Sequence, residues 1–575
     1  MRKLLKYLKK YRIESALAPL FKMLEAVFEL IVPLVVASMI DNGIGNGGNG
    51  THILKCFALM IVLGVVGLVA ACTAQFFAAK AATGFSKDLR SDLFRHILSL
   101  NFRSIDNAGT STLITRMTAD VNTVQNGVNM FLRLFLRSPF IVTGAMVMAF
   151  FIDVKSALIF VAVIAVLSLT VALIMSSNIP LLKKVQSKLD DVLNLTRETL
   201  QGVRVIRAFA YEEKQYEEFR GSNDELSGMQ LKAGRVSGLL NPLTYVIINL
   251  GIAVLVMTGS DRVYNGILTT GQVVALYNYM SQILVELIKF AGLIVTVNKT
   301  LASANRITDV FGYETGMKCS DDPVSVQKGK GASIEFKNVS MTYYEGADEA
   351  LSDISFRIEA GQTLGIIGGT GSGKTTLSNL IPRFYDVTSG EVLIDERNVK
   401  EYDVKSLREN VGIVMQKAAL FAGTIKENLL WGNEGAGDDE ILSAVDAAVA
   451  KDVIDSKGGL DARIEAGGKN LSGGQRQRLT IARALVRHPG ILILDDASSA
   501  LDYVTDLKLR TNIKELSYSP TVVIISQRTA SVQHADRILV LEDGEGVGFG
   551  THEELLKNCG VYKEIYDSQY KKEVG

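Results

Sequence analysis

Apolar positions fall into two regimes along this chain. Over roughly the first 300 residues they run together for membrane-spanning lengths. From about residue 333 they break into short β-branched runs that alternate with helical ones. Uncharged runs long enough to cross a bilayer occur at Cys56–Ala79, Ser156–Leu182, Val236–Ser260 and Val263–Val285. Two further spans carry charge: roughly Ala16 to Ile40, with Lys22, Glu25 and Glu29 embedded, and roughly Phe131 to Ile152, with Arg133 and Arg137 near its start. A charge in hydrocarbon is expensive, so these groups must face a polar cavity, a partner helix or an interface. Glu25 and Glu29, four residues apart, share one helix face. With Arg133, Arg137, Glu286 and Lys289 they either line a cavity or pair between helices.

The connections between spans differ by side. Asp41–Thr51 holds no Lys or Arg, and the links near Asp153 and Asp261 are tight. Lys80–Met130 and Lys183–Arg235 are long, basic and poor in helix breakers. The positive-inside bias places the long connections and the N-terminus in the cytoplasm. About 25 extra helical residues extend a span by about 35–40 Å beyond the bilayer. The first half is therefore expected to be an all-α membrane domain, six transmembrane helices with long cytoplasmic extensions. Polar, turn-prone tips at Arg103–Thr110 and Phe209–Gln215 are candidate docking knobs. Met1–Arg12 reads as a basic amphipathic elbow helix on the inner membrane surface.

The stretch from Cys319 to Gly331 is polar, with Pro323, Gly329 and Gly331, and it breaks the helical pattern. Residues 1–315 are assigned to the membrane domain, 316–332 to a linker and 333–575 to an α/β domain. In the latter, Gly368-Gly369-Thr370-Gly371-Ser372-Gly373-Lys374-Thr375 fits G-x-x-x-x-G-K-[ST], after the apolar run Leu364–Ile367 and before a helix opening at Thr376. Glycines permit the turns that aim successive N–H groups at phosphate oxygens. Lys374 would reach the β and γ phosphates of ATP, and the Thr375 hydroxyl would ligate Mg²⁺.

Other candidates follow from their position around this P-loop. Tyr343 or Tyr344 can stack on adenine. The amide of Gln416, at the end of Val411–Met415, can touch Mg²⁺ and the attacking water. Leu471-Ser472-Gly473-Gly474-Gln475 opens a helix as an anion site. Ile491–Leu494 is a buried strand ending in Asp495 and Asp496, of which Asp495 would hold Mg²⁺ through water.

Composition changes this picture little. Charged residues are 21% and hydrophobic ones 48%, concentrated in the first half, and the net charge is zero, which gives no global field for nucleic acid. Cys56, Cys72, Cys319 and Cys559 lack ligand spacing and read as free thiols.

With a P-loop, LSGGQ and ILILDD in this order behind six spans, the chain resembles an ATP-binding cassette exporter subunit, a membrane domain fused to an α/β P-loop ATPase domain. The resemblance implies that two such ATPase domains close head to tail on two ATP molecules, each held by one P-loop and the opposite LSGGQ. Ser472, Gly473, Gly474 and Gln475 would then contact ATP on a partner. Ser499-Ala500-Leu501-Asp502 would signal across the interface, Glu465 would lie in the segment meeting the membrane hairpins, and those hairpins would be coupling helices.

The chain departs from the family pattern at two catalytic positions. The usual glutamate after the Mg²⁺ aspartate is Asp496, and the usual histidine after Thr521–Ser526 is Gln527. Asp sets its carboxylate about 1.5 Å back, and a misplacement near 1 Å can cost about a hundredfold. Gln527 can hydrogen-bond a γ-phosphate but cannot carry imidazole's charge. These departures imply a hydrolysis-poor site and a heterodimer whose other subunit supplies Glu and His. The expected function is ATP-driven export of amphipathic drugs or lipids across the cytoplasmic membrane. The alternatives are a homodimeric lipid or peptide exporter with slow ATPase, and an ATP-gated channel or sensor.

Overall fold

The computed structural model describes residues 3–45, 49–317, 320, 322–326, 329–344 and 346–570. They fall into two units: Met1–Leu98 with Thr110–Tyr313, and Ser99–Gly109 with Glu314–Gly575.

Among the described residues, six helices are long and apolar enough to cross a membrane: Leu4–Ile44, Gly50–Ser99, Thr110–Ile152, Val154–Gln201, Glu212–Tyr264 and Thr270–Val310. The basic start forms a 3₁₀ turn, Leu4–Tyr11, that buries Leu4 and Tyr7 and leaves its lysines toward solvent. The Tyr7 hydroxyl donates to Asp92 at 3.0 Å. Between helices the core is built from small residues facing large ones, such as Ala26, Ala145 and Ala149 beside Phe160, Ile141 and Tyr279. At Gly271 an added Cβ would lie 2.3 Å from the Ala37 carbonyl oxygen, so glycine is what allows the first and sixth helices to approach there.

Of the charges embedded in the spans, Arg137 pairs between helices, with Glu29 and Glu286, while Lys22 with Glu25 and Lys289 with Glu286 pair within one helix. Arg137, 6% exposed, forks from Nη1 to Glu286 at 2.6 Å and from Nη2 to Glu29 at 2.8 Å. Glu286 also accepts from Ser138 at 2.8 Å and Lys289 at 2.9 Å, and Lys22 pairs with Glu25 at 2.5 Å. Two planar forks, guanidinium and carboxylate, fit this geometry, and mutual pairing is what makes burial of the charges tolerable. Arg133 is half-buried on Val121–Leu134, and the third span breaks at Phe135–Leu136 before resuming as Arg137–Ile152.

The link between the fifth and sixth spans lies later than the expected turn at Asp261. Asp261 to Tyr264 belong to the fifth helix, and the sixth starts at Thr270 rather than Val263. Arg262 can sit in the last helical turn because Asp153 neutralises it at 2.5 Å, while Asp153 also caps the fourth span through the Ser156 N–H at 2.8 Å. The start is set by a capping box of Thr269 with Gln272, reinforced by the Gly271 N–H donating to Asp41 at 2.8 Å.

In the second unit the strands are β1 (Ile334–Met341), β2 (Leu351–Ile358), β3 (Thr363–Gly368), β4 (Ser389–Ile394), β5 (Arg397–Asn398), β6 (Val411–Val414), β7 (Gly423–Thr424), β8 (Arg463–Ile464), β9 (Ile491–Asp495), β10 (Thr521–Ile525), β11 (Arg537–Glu542) and β12 (Glu545–Gly550). A six-stranded sheet runs β12-β11-β3-β10-β9-β6, parallel except at β12, and a four-stranded antiparallel sheet runs β2-β1-β4-β5. Strands β3, β9 and β10 are buried on both faces, which explains their unbroken Leu/Ile/Val runs. Register sets Val523 of β10 between Leu364 and Ile493 and brings the carboxyl ends of all three strands together. That crevice is where open parallel sheets place ligands.

Ser99–Gly109, assigned from sequence to the first domain, clusters with the second unit. Its helix Phe102–Ala108 is capped by Asn101, and Phe102 packs on Phe384 with ring centroids 4.5 Å apart, under Arg408. The Tyr385 hydroxyl donates to Asp106. The other tip turns at Phe209–Ala210 within the first unit, with Phe209 and Tyr211 exposed. Cys56, Cys72 and Cys559 are free thiols; Cys319 lies outside the described residues.

Candidate nucleotide site

The loop from β3 into the helix Lys374–Leu380 is shaped by three glycines. Gly371 and Gly373 have φ of +87° and +92°, a region closed to most side chains. At Gly368 an added Cβ would lie 2.1 Å from the Leu541 carbonyl oxygen. The loop wraps the Lys374 ammonium, which donates to the Gly368 carbonyl at 2.9 Å, to the Gly369 carbonyl and to Ser372 Oγ at 3.2 Å.

A cavity of about 360 Å³ opens beside this loop. It is lined by Tyr343, Thr370, Gly371, Gly373, Lys374, Thr375, Thr376, Gln416, Asp495, Asp496 and Gln527, together with Ala350, Ile525 and Ser526. Eleven positions singled out in sequence thus share one wall, although they come from segments as distant as Tyr343 and Gln527. Gly368, Gly369 and Ser372 form the base of the loop. Ala350, Ile525 and Ser526 had no signal beyond adjacency: Ile525 ends β10, Ser526 links it to Gln527, and Ala350 directly precedes β2.

Of the two tyrosines, Tyr343 faces this cavity, with its hydroxyl 3.0 Å from Thr376 Oγ1 and its ring edge-on to Tyr385 at 5.1 Å. Tyr344 is exposed and lines a different cleft with Thr342 and Thr388.

Two carboxylates and one ammonium set the electrostatics. Burial pushes Asp495 above the usual carboxylate range and the charge of Asp496 adds to this, while the Thr375 hydrogen bond at 3.3 Å and Lys374 pull it back. Burial lowers Lys374, countered by both aspartates. Thr375 Oγ1, Asp495 Oδ2 and the Gln416 amide are hard oxygen donors of the kind Mg²⁺ takes, with few protein carboxylates and the rest left to water and phosphate. No cluster of His, Cys, Asp and Glu suited to a resident metal occurs among the described residues.

Asp496 is pinned through its backbone. It has φ of +47°, its N–H donates to the Ile525 carbonyl at 2.9 Å, and its carbonyl accepts from Ser499 Oγ at 2.8 Å. Its carboxylate reach is therefore set by side-chain length and not by backbone adjustment.

Leu471–Gln475 does not line this cavity. Ser472 caps the helix Gly473–Leu485 in a capping box, taking the Gln475 N–H at 3.2 Å and donating its own N–H to Gln475 Oε1 at 2.9 Å. A Cβ on Gly474 would stand 2.9 Å from the Ala500 carbonyl oxygen, which sets the helix start directly against Ser499–Asp502. Asp502 caps the helix Tyr503–Lys514, and hydrogen bonds from Thr505 hold its carboxyl below the usual range. Glu465 is exposed between β8 and the turn Ala466–Gly468.

Comparison with known proteins agrees with both units. Residues 16–287 match the model of the ABC transporter transmembrane region, and residues 351–499 match the ABC transporter model. The chain is 36% identical to the uncharacterized ABC transporter ATP-binding protein YfiB of Bacillus subtilis (strain 168), covering 100% of this chain and 99% of that protein. It is 33% identical over 84% of each chain to the ATP-dependent lipid A-core flippase of Desulfotalea psychrophila. The structure of a bacterial Atm1-family ABC exporter with ATP bound shares the fold, with a TM-score of 0.82, 24% identity and coverage of 98% of this chain and 99% of that one. The chain therefore belongs to the ABC transporter family, as a multi-pass membrane protein of the exporter fold that carries the transmembrane region and the ATP-hydrolysing domain on one polypeptide.

Proposed function

We propose that this chain is one subunit of a heterodimeric exporter of amphipathic drugs or lipids, and that its own P-loop cavity holds ATP but hydrolyses it poorly. One observation carries the reading: Asp496 and Gln527 occupy the same cavity wall as Lys374 and Asp495, where the family pattern has glutamate and histidine. Positioned bases contribute about 10²–10⁴ to rate, and a carboxylate held one methylene short on a pinned backbone forfeits much of that.

The remaining residues suit binding. The P-loop N–H groups and Lys374 hold the phosphates, Tyr343 lies against adenine, and Gln527 hydrogen-bonds the γ-phosphate. Thr375, Gln416 and Asp495 would hold Mg²⁺, which supplies charge neutralisation between the β and γ phosphates. Ser472, with Gly473, Gly474 and Gln475, keeps an intact helix start to complete a competent site on the partner's ATP, and Asp502 stands beside it at the interface. ATP binding closes the cytoplasmic side, and hydrolysis at the partner's site resets it.

The long basic connections support a cytoplasmic N-terminus and ATPase domain in the plasma membrane. An apolar pocket of about 310 Å³ among Ser168, Met175, Leu287, Phe290 and Ile294, next in sequence to Glu286 and Lys289, supports an amphipathic cargo, as does the relative named a lipid A-core flippase.

The test is to purify the tagged chain from its native host. An equimolar second cassette subunit with Glu and His in the two positions is the expected result. Self-association alone, with ATPase turnover typical of exporters, would overturn the reading.

A further inference from the structure

The cavity wall that carries Gln527 is held from the far end of the chain. Gln569 lies in the last turn of the helix Gly560–Tyr570. Its side-chain Nε2 donates to the Gln527 carbonyl at 2.8 Å, and its Oε1 accepts from the Thr529 N–H at 2.8 Å. One amide thus satisfies the C=O of residue 527 and the N–H of residue 529, the pattern by which a neighbouring strand would bind an extended segment. The opposite roles of the two backbone groups also fix which way the amide points. On the other side of the same turn the Arg528 N–H donates to Ser526 Oγ at 3.0 Å.

The helix that presents Gln569 is itself anchored. The Tyr562 hydroxyl meets His552 Nδ1 at 2.7 Å, Tyr562 is fully buried, and the His552 ring contacts Tyr566 at 5.5 Å. Segment Gln527–Thr529 has no such support from β10, which ends at Ile525.

We propose that Gln569 is a positioning residue for the nucleotide site: by clamping the backbone on both sides of Arg528 it directs the Gln527 side chain into the P-loop cavity. The inference rests on the γ-phosphate role given to Gln527 above. A residue acting through that role affects ATP and not ADP, whereas general loosening of the domain affects both.

The test uses the full-length chain in lipid nanodiscs, with dissociation constants for ATP and ADP measured for Q569A, Q569E, Q527A and the Q527A/Q569A pair. Q569E keeps an acceptor for the Thr529 N–H but sets a carboxylate against the Gln527 carbonyl. Q569A, Q569E and Q527A are each expected to cut the preference for ATP over ADP by about threefold to tenfold, the worth of one hydrogen bond. The double variant should fall no further than Q527A. Amide exchange in the peptide containing Thr529 should quicken in Q569A while the thermal midpoint holds. Equal loss of ATP and ADP binding, or full additivity in the double variant, would overturn the clamp. An unchanged preference in Q527A would overturn the γ-phosphate role of Gln527 and the inference with it, whereas a shifted Q527A beside an unshifted Q569A would sink the clamp alone.

Discussion

A single methylene separates Asp496 from the glutamate that the family pattern carries, and the backbone around it cannot make up the difference. With φ at +47° and both its N–H and its carbonyl engaged, the residue presents its carboxylate from a fixed Cα. Asp is also better tolerated than Glu in the left-handed region, so lengthening the side chain carries a small conformational cost. Even so, the D496E/Q527H double variant should raise ATP turnover of the purified chain by about a hundredfold, measured as phosphate release at saturating Mg·ATP. D496E alone should recover only part of this. Turnover that stays flat in the double variant would mean that distance and charge at these two positions do not limit hydrolysis. The identities at 496 and 527 are legible in the sequence, because motif order alone puts them near Lys374. The pinned backbone is not, since it depends on a hydrogen bond to Ile525 across a strand pairing.

Among elements, the membrane helices show where reading along the chain falls short. Long uncharged runs locate the spans because nothing polar can face lipid unpaired. Charges at helix ends mislead for the same reason: Asp261 and Arg262 read as a loop until Asp153 on another helix is seen to pair with Arg262. The Thr269–Gln272 capping box was the available signal for the true start of the sixth helix.

The Arg137 fork sets a ranking that can be measured. Removing the cation leaves Glu29 without its partner and Glu286 held only by Lys289 and Ser138, so R137M should destabilise the membrane unit by about 1–3 kcal/mol. E286Q should cost less, because Arg137 keeps Glu29, and R137K should rescue little, because an ammonium cannot fork. Thermal unfolding in detergent, followed by tryptophan-independent circular dichroism, should give midpoints in the order wild type, E286Q, R137M.

The C-terminal helix should respond to pH. Burial, with His534 adding to it and Glu553 opposing, holds His552 below the ordinary histidine value. A base depressed in the folded state contributes stability above its unfolded value and loses it as pH falls through the folded value. Amide protection in 560–570 should therefore be full at pH 7 to 8 and decline below about 6.5, the ordinary histidine value, and H552N should remove most of that dependence.

At the scale of the whole molecule, the proposed function gives one chain the parts of two half-sites that do not meet within it. The cavity beside Lys374 contains Asp496 and Gln527, while Ser472 and its helix start do not line it and pack on Ser499–Asp502. If two different subunits close head to tail, the two halves of this chain serve different ATP molecules, and damage to them has unequal consequences. S472A should lower ATP turnover of the assembled pair by about tenfold to a hundredfold, since one phosphate-binding donor at the competent site is lost. D496N should leave turnover within about twofold, because the site it serves contributes little hydrolysis to begin with. K374A should fall between them: it empties the poor site of nucleotide, weakens closure and so slows the partner's site without touching its chemistry. Steady-state phosphate release by the co-purified pair in nanodiscs measures all three. Equal damage from S472A and D496N is the outcome of a symmetric pair of this chain, in which every site carries both features.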